Sequence, residues 1–300
     1  MDPVRLLSET IFHATPILLC VLGGIFAYKA GVLNIALEGF MLSASFVSVL
    51  VSFLTQNILL GYLFAVLSCL VWWAVFSYMG VARRGNVIVI GLAINMLVPA
   101  IAGFVMRQLG MSSITLPWFS VSSLRIDIPI IQGIPVLGDI LSGYTAVTYL
   151  AFAGIAVMWV LLYRTRFGTY VRVAGENEDA AVSLGIRTKR YKSLAVGVGA
   201  LCCALAGINL SLEGMGLYTN HMTAGRGFIA IAAIYCGRGH PVSSSVYAIV
   251  FGFARALAVN VGVFAGPASV LFDIIPYLVM TVVLTVVSIV KRRGTCVRGF

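Results

Sequence analysis

The sequence has 300 residues, of which 60% are hydrophobic and only 10% are charged, whereas about a quarter of the residues in a soluble globular domain carry charge. This composition, with a mean hydropathy of +1.03, argues against a soluble enzyme. The formal net charge of +10 does not indicate a nucleic-acid partner, because so few charges cannot coat a water-facing surface. A lipid bilayer explains the basic excess better.

Apolar stretches long enough to cross a membrane dominate the chain. A helix needs about 20 mostly apolar residues for a full crossing, and eight stretches meet this criterion: 10–28, 32–55, 58–80, 86–108, 142–163, 191–212, 241–260 and 268–290. The first lacks a small-x-small cleavage site and is interpreted as a retained span. A ninth piece, 225–238, is short and is predicted to be a half-helix.

The predicted fold is therefore an all-α polytopic membrane protein with eight to ten transmembrane helices. Residues 1–300 form a single transmembrane domain, because no interval reads as a soluble domain. Basic residues in short loops mark the cytoplasmic side, and the segment 164–192 carries seven of them: Arg164, Arg166, Arg172, Arg187, Lys189, Arg190 and Lys192. The Arg83-Arg84 turn and the basic tail after residue 290 are predicted on the same side.

The connection 109–141 then falls on the outer side. The side of the N-terminus depends on the stretch 32–55. A full crossing there puts the N-terminus outside, and a dip puts it inside.

The segment 31–40 places two polar residues, Asn34 and Glu38, one helical turn apart in an apolar region. A charged side chain inside a span costs about 2.5 to 3.5 kcal/mol on insertion scales. Glu38 therefore has three interpretations: a solvated residue near the interface, half of a structural ion pair, or a contact with a solute.

A second segment, 220–230, also places a charged residue before a Gly-Phe pair and an apolar run. Residues 38–40 (Glu-Gly-Phe) align with residues 226–228 (Arg-Gly-Phe), and such weak internal symmetry is typical of transporters built from two repeats. The hypothesis is that Glu38 and Arg226 face one another across the interface between the repeats.

Glycines at 225 and 227 allow backbones to approach closely, and Thr223 is predicted to cap the half-helix. The candidate residues for the translocation path or the repeat interface are Asn34, Glu38, Gly39, Gly225, Arg226, Gly227 and Phe228.

The centre of the basic loop, 175–186, contains signals for a short helix. Asn177 is a suitable start, acidic residues occupy the first turn, and Gly185 is a suitable end. A short amphipathic helix between two spans suits docking into a groove of another protein. The alternative is a helix that lies on the lipid surface.

Other polar and sulfur-containing residues suggest no chemistry. Six cysteines form no Cys-x-x-Cys pair and five lie in apolar stretches, so we interpret them as small hydrophobic residues and predict no metal site. The four tryptophans are predicted to form an aromatic belt. Arg107, Arg255 and Asp273 are further candidates to line a pathway, with the alternative that Arg107 and Arg255, near span ends, extend their charged groups to the membrane surface. No Walker-type phosphate loop is present, so any ATP that drives this protein must bind another chain.

Three groups of residues, taken together in this order, resemble the permease subunits of bacterial ABC importers for nucleosides and simple sugars. They are Gly31-Val32, Asn34-Ile35 and Leu37-Glu38-Gly39; then Gly175-Glu176-Asn177, Ala180-Ala181 and Gly185-Ile186; then residues 223–230, Thr-Ala-Gly-Arg-Gly-Phe-Ile-Ala. The resemblance covers about residues 20–290. It departs from the family at Ala36, where glycine is common, and at 237–240, where a more aromatic ending is common.

The resemblance implies a multi-pass permease of the bacterial cytoplasmic (inner) membrane that performs no covalent chemistry and needs no cofactor. Its implied partners are an ATP-binding subunit, a second permease subunit and an extracytoplasmic substrate-binding lipoprotein. The implied coupling residues are Gly175, Glu176, Asn177, Ala180, Ala181 and Gly185.

The implied solute is nucleoside-like or flavin-like, a purine nucleoside or riboflavin, because similar permeases also import riboflavin. A simple sugar is the alternative. Two further classes remain open from the residues alone: an integral-membrane enzyme and a carrier driven by an ion gradient.

Overall fold

A computed structural model of the protein describes residues 3–126, 142–265, 272 and 274–296. Eleven α-helices form in this part of the chain: α1 Pro3–Lys29, α2 Leu37–Thr55, α3 Ile58–Phe76, α4 Val87–Gln108, α5 Ala146–Arg164, α6 Arg166–Glu176, α7 Glu178–Ser183, α8 Thr188–Ile208, α9 Arg226–Cys236, α10 Pro241–Ala265 and α11 Ile275–Cys296. Turns of π-helix extend α3 through Ser77–Ala82 and α8 through Asn209–Glu213.

Seven of these helices, α1 to α5, α8 and α10, are long and apolar enough to cross a membrane. The half-helix α9 and the apolar part of α11, Ile275–Val287, are shorter. The predicted all-α polytopic fold with a half-helix is confirmed, and the protein is a multi-pass membrane protein.

The structure differs from the prediction at several points. Helix α2 begins at Leu37 because residues 32–36 are irregular, and helix α6 was not predicted. In the last predicted span, 268–290, residues 268–271 and the pathway candidate Asp273 lie outside the described residues.

Two short antiparallel strand pairs lie at one end of the bundle, which is the predicted outer end. Strand β1 Ser113–Thr115 pairs with β4 Leu217–Thr219, and β2 Arg125–Ile126 pairs with β3 Tyr144–Thr145. The Tyr144 hydroxyl donates to the Ser8 hydroxyl over 3.0 Å. The beginning of α1 therefore lies at the same end as the connection that follows α4.

The basic segments gather at the opposite end. Lys189 Nζ donates to the Ala82 carbonyl over 3.1 Å, which joins the 164–192 segment to the Arg83-Arg84 turn. Gly239, which follows α9, lies against the Tyr28 ring near the end of α1. The positive-inside rule predicts that this end is cytoplasmic. With this predicted orientation, helix α2 makes a full crossing, the N-terminus lies outside and α9 returns the chain to the inside.

Helix α1 lies at the centre of the bundle, and helix α3 lies at its edge. In the apolar 18-residue stretch of each helix, 83% of α1 and 17% of α3 is buried inside the protein. Helix α1 packs against α8, α9 and α10, and α2 packs against α3, α4 and α8. Small residues bring these helices together: a side chain at Gly207 of α8 would meet Ala44 Cβ of α2 at 2.6 Å.

Tryptophans contribute to this packing in a way that the sequence did not predict. Trp72 Nε1 donates to the Ser43 hydroxyl over 3.0 Å, and Trp73 Nε1 donates to the Ser193 carbonyl over 2.8 Å. These two rings tie α3 to α2 and α8, a packing role that the prediction of an aromatic belt did not include. The cysteines at 20, 69, 202, 203 and 236 are free and buried.

The close contact at Gly207 gives a stability prediction. The Gly207→Ala substitution places a methyl group against α2, and overpacking of this kind costs about 1 to 3 kcal/mol. We expect a lower melting temperature for the detergent-solubilised protein. The matched control is Gly103→Ala, because a methyl group at Gly103 meets nothing within 4 Å. Equal melting temperatures of the two variants would contradict the packing described.

The assignment of the two ends gives a topology prediction. Leu184 is 75% exposed at the basic end, and Ser122 is exposed at the outer end. In a Cys296→Ser background, Leu184→Cys should react with a membrane-impermeant maleimide only in inside-out vesicles. Ser122→Cys should react only in right-side-out vesicles. Labelling of both from one side would reject the assignment.

Candidate functional site

The short helix predicted in the basic loop forms at Glu178–Ser183. The Asn177 side chain accepts a hydrogen bond from the Ala180 amide over 3.0 Å and so caps α7. Gly185, at φ 77°, ends the helix in the left-handed conformation that glycine favours. Gly175 and Glu176 belong to the last turn of α6 instead, so the candidate coupling residues are divided between two helices.

Helix α7 buries one side and exposes another. Ala181 is fully buried against the bundle, whereas Ala180 is exposed. Val182 is 57% exposed and Leu184 is 75% exposed. Apolar side chains that face away from the bundle at its cytoplasmic end form a surface on which another protein can dock.

Glu178 fixes α7 to the rest of the cytoplasmic end. Its Oε2 accepts a hydrogen bond from Lys192 Nζ over 2.6 Å, and its Oε1 lies 4.0 Å from Arg84 Nη2. The hydrogen bond from Lys192 holds the pKa of the Glu178 carboxyl below its ordinary value. From the sequence, Glu178 is one of the acidic residues expected in the first turn of this helix and nothing more. Its charge partners lie on α8 and on the turn after α3, which sequence spacing does not reveal.

The Glu38 carboxylate binds the beginning of half-helix α9. Glu38 Oε1 accepts from the Gly225 amide over 3.0 Å, and Oε2 accepts from the Gly227 amide over 2.6 Å. Gly225 takes a left-handed conformation at φ 70°. A side chain at Gly227 would meet the Glu38 backbone N at 2.5 Å. The two glycines therefore allow the backbone of α9 to reach the carboxylate.

The two segments lie against each other, but Glu38 contacts the backbone at the start of α9 rather than the Arg226 side chain. Arg226 Nη1 donates to the carbonyls of Met222 and Thr223 over 2.8 and 3.2 Å. Among the described residues, no ion pair joins Glu38 to Arg226. The half-helix has no cap from the side chain of Thr223, so that prediction was wrong. A carboxylate from α2 takes the place of the cap because it reaches two of the first N–H groups.

Asn34 and Asn95 hold the irregular segment before α2. Asn34 Oδ1 accepts from the Ala36 amide over 3.1 Å. Asn95, on α4, accepts from the Gly39 amide over 2.8 Å and donates to the Ile35 carbonyl over 2.9 Å. Sequence reasoning missed Asn95, which stands as a single amide inside a predicted span.

A cavity of about 580 Å³ opens beside these contacts. Its lining comes from α2, α4 and the beginning of α9: Glu38, Gly39, Leu42, Leu92, Asn95, Met96, Pro99, Ala100, His221, Thr223, Gly225 and Phe228. Four candidate path residues line this cavity: Glu38, Gly39, Gly225 and Phe228. The others do not: Asn34 and Arg226 are buried, and Gly227 packs on Glu38.

Most of the cavity wall is apolar. Met96 is 74% exposed and Phe228 is 41% exposed. The polar side-chain atoms of Glu38 and Asn95 are already bound to backbone groups. In the described ranges, no group of three or more His, Cys, Asp or Glu residues is placed to hold a metal ion. The pathway candidates Arg107 and Arg255 do not line this cavity.

Comparison with known proteins gives a consistent result. Residues 6–284 match the family described as branched-chain amino acid transport system / permease component. The guanosine ABC transporter permease NupQ of Bacillus subtilis is 31% identical over 98% of this chain and 94% of its own. The nucleoside ABC transporter permease NupC of Lactococcus lactis is 27% identical over 93% of this chain and 90% of its own.

A glucose ABC transporter permease of Haloferax volcanii, TsgB13, is 25% identical over 93% of this chain and 76% of its own. Among solved structures, an inward-facing conformation assigned to the metal-chelate type of ABC transporter superposes with a TM-score of 0.51. The match has 14% identity and covers 99% of this chain and 88% of that chain. It supports the fold alone. The family match and the identity to NupQ extend over nearly the whole sequence, so this chain belongs to the branched-chain-type permease family of ABC transport systems.

Proposed function

We propose that this chain is the permease subunit of an ATP-driven importer whose solute is a nucleoside or a related flat heterocycle. The two nucleoside-transporter relatives, each aligned over at least nine-tenths of both chains, support this proposal. A separate subunit binds and hydrolyses ATP, because the sequence contains no phosphate-binding loop. This chain itself forms and breaks no covalent bond.

The apolar cavity is the observation that carries the choice of solute. Phe228 and Met96 offer flat or flexible apolar surface, on which a purine or flavin ring can stack. Glu38 and Asn95 are already bound to backbone groups, so His221 and Thr223 are the remaining polar side chains among the described lining residues for the hydroxyl groups of a solute. A sugar remains the second candidate because glucose-transporter relatives align with this chain.

Two surfaces support the proposed partners. The exposed apolar residues of α7 suit a groove on an ATP-binding subunit. Among the described residues, α2, α4, the segment that leads into α9 and the first turn of α9 line the cavity, and its open side suits a second permease subunit. The strand pairs at the outer end suit contact with a substrate-binding lipoprotein that delivers the solute.

Reconstitution tests the energy source and the solute together. We expect proteoliposomes that hold this chain, its ATP-binding subunit and a second permease to import guanosine when the binding lipoprotein and ATP are supplied. Riboflavin and glucose are the comparison solutes. Import of glucose alone would favour the second candidate. Uptake by this chain alone, collapsed by an uncoupler and indifferent to ATP, would indicate an ion-driven carrier and contradict the proposal.

Docking through α7 gives a separate prediction. Leu184→Asp puts a charge into the proposed apolar interface, and loss of a central anchor costs about 2 kcal/mol or more. We expect at least tenfold less ATP-binding subunit to co-purify with this variant. The control is Leu109→Asp, because Leu109 is also exposed but lies at the outer end. Equal recovery with both variants would place the docking surface elsewhere.

A further inference from the structure

The three groups of residues that carry the family resemblance, in 31–39, 175–186 and 223–230, are far apart in the chain but form one row of direct contacts. Gly175, in the last turn of α6, lies against the backbone of residues 29–31. A side chain at Gly175 would collide with the Lys29 carbonyl and meet the Gly31 N at 2.9 Å. Gly31 takes a left-handed conformation at φ 72°. The cytoplasmic segment therefore touches the turn between α1 and α2 backbone to backbone.

The segment 30–36, which we call the linker, leads from that contact to the cavity. It is irregular, but each of its ends is held. The Val32 amide donates to the Ala27 carbonyl over 2.9 Å at the end of α1. Asn95 of α4 binds both the Ile35 carbonyl and the Gly39 amide. A displacement at Gly31 therefore reaches the first turn of α2 through a short, restrained segment.

Glu38, two residues beyond the linker, passes the displacement to the half-helix. Its two carboxylate oxygens bind two amides of α9, and the Gly227 backbone packs directly on the Glu38 backbone. A charge-assisted bidentate contact in a low-dielectric surrounding is strong and directional. The beginning of α9, with Phe228 on the cavity wall, is thus bound to the beginning of α2.

Helix α7 is connected by charged contacts to the neighbouring elements at the same end of the bundle. Glu178 of α7 binds Lys192 of α8 and lies 4.0 Å from Arg84. A partner that pushes on α7 therefore moves a connected body that includes Gly175.

We infer that the linker 30–36 transmits movement of the cytoplasmic segment to the cavity, and that Glu38 is the positioning residue that makes α9 follow α2. This inference rests on the proposed function, since it requires an ATP-driven partner at α7. Glu38 acts through the α9 backbone and holds Phe228 in place on the cavity wall. Physical coupling of this kind needs a contiguous set of contacts whose equilibrium both ends bias.

The test uses the reconstituted importer with Glu38→Gln, which retains the shape of the side chain but removes its charge. We expect the maximal uptake per ATP hydrolysed to fall about tenfold, within the usual range of coupling energies. The half-saturating solute concentration should stay the same, because the binding lipoprotein captures the solute. In the variant, amide hydrogen exchange at residues 225–228 should become faster even without solute.

The matched control is Glu213→Gln. Glu213 is another buried carboxylate in a span, bound to the Tyr62 hydroxyl and, over 3.0 Å, to Asn209 Nδ2. It touches neither the linker nor α9 in the contacts described. We expect its uptake per ATP to stay within about twofold of the wild type, as for a site remote from the coupling contacts. Full uptake per ATP in Glu38→Gln, or an equal loss in both variants, overturns the inference.

Hydrogen exchange of the wild-type complex gives an independent measurement if Glu38→Gln does not fold. ATP binding to the partner subunit should change exchange in residues 30–36 and 225–228 together. A change in 175–186 without a change in 30–36 overturns the linker's role while the proposed function stands. Absence of ATP-driven uptake in the wild type overturns the proposed function itself.

Discussion

The arrangement of this permease depends on how a helix can begin inside a hydrocarbon layer. The first N–H groups of any helix have no partner within the helix, and lipid offers none. Helix α9 begins within the membrane-spanning part of the bundle, where the Glu38 carboxylate accepts hydrogen bonds from Gly225 and Gly227. The positive end of the α9 dipole further favours this negative charge. The same contact that satisfies the backbone also fixes the cavity wall.

Glycine makes the other decisive contacts possible because it lets two backbones meet without side chains between them. Gly175 of α6 packs against the turn after α1, and Gly207 of α8 packs against α2. Hydroxyl groups add hydrogen bonds at such close approaches, as where Ser45 donates to the Gly207 carbonyl over 3.0 Å. Lipid tails are as apolar as the side chains, so the hydrophobic effect does not drive helices together within a membrane. Close packing and internal hydrogen bonds hold them together instead. These contacts explain why small residues are so frequent in the motifs.

Features that depend on local sequence could be predicted, and features that depend on distant partners could not. The spans, the half-helix and the capped helix α7 follow from apolar length and from Asn177 and Gly185, which act within a few residues. The roles of Asn95 and Glu178 depend on neighbours from other helices, so spacing gave no signal. The start of α2 was misplaced because residues 32–36 are as apolar as a helix, and hydropathy does not register the turn that Asn34 stabilises.

The residues around the cavity fall into two groups: those that bind the backbone of neighbouring segments and those that only shape the cavity wall. Glu38, Asn95 and the glycines at 225 and 227 are committed to backbone contacts, whereas Met96 and Phe228 project from α4 and α9 without hydrogen-bonding duties in the described part of the chain. Under the proposed function, paralogues of this permease can diverge in cargo by exchanging Met96 and Phe228 while they keep the backbone-bound residues unchanged. The same two positions are then the ones to randomise for an altered cargo range.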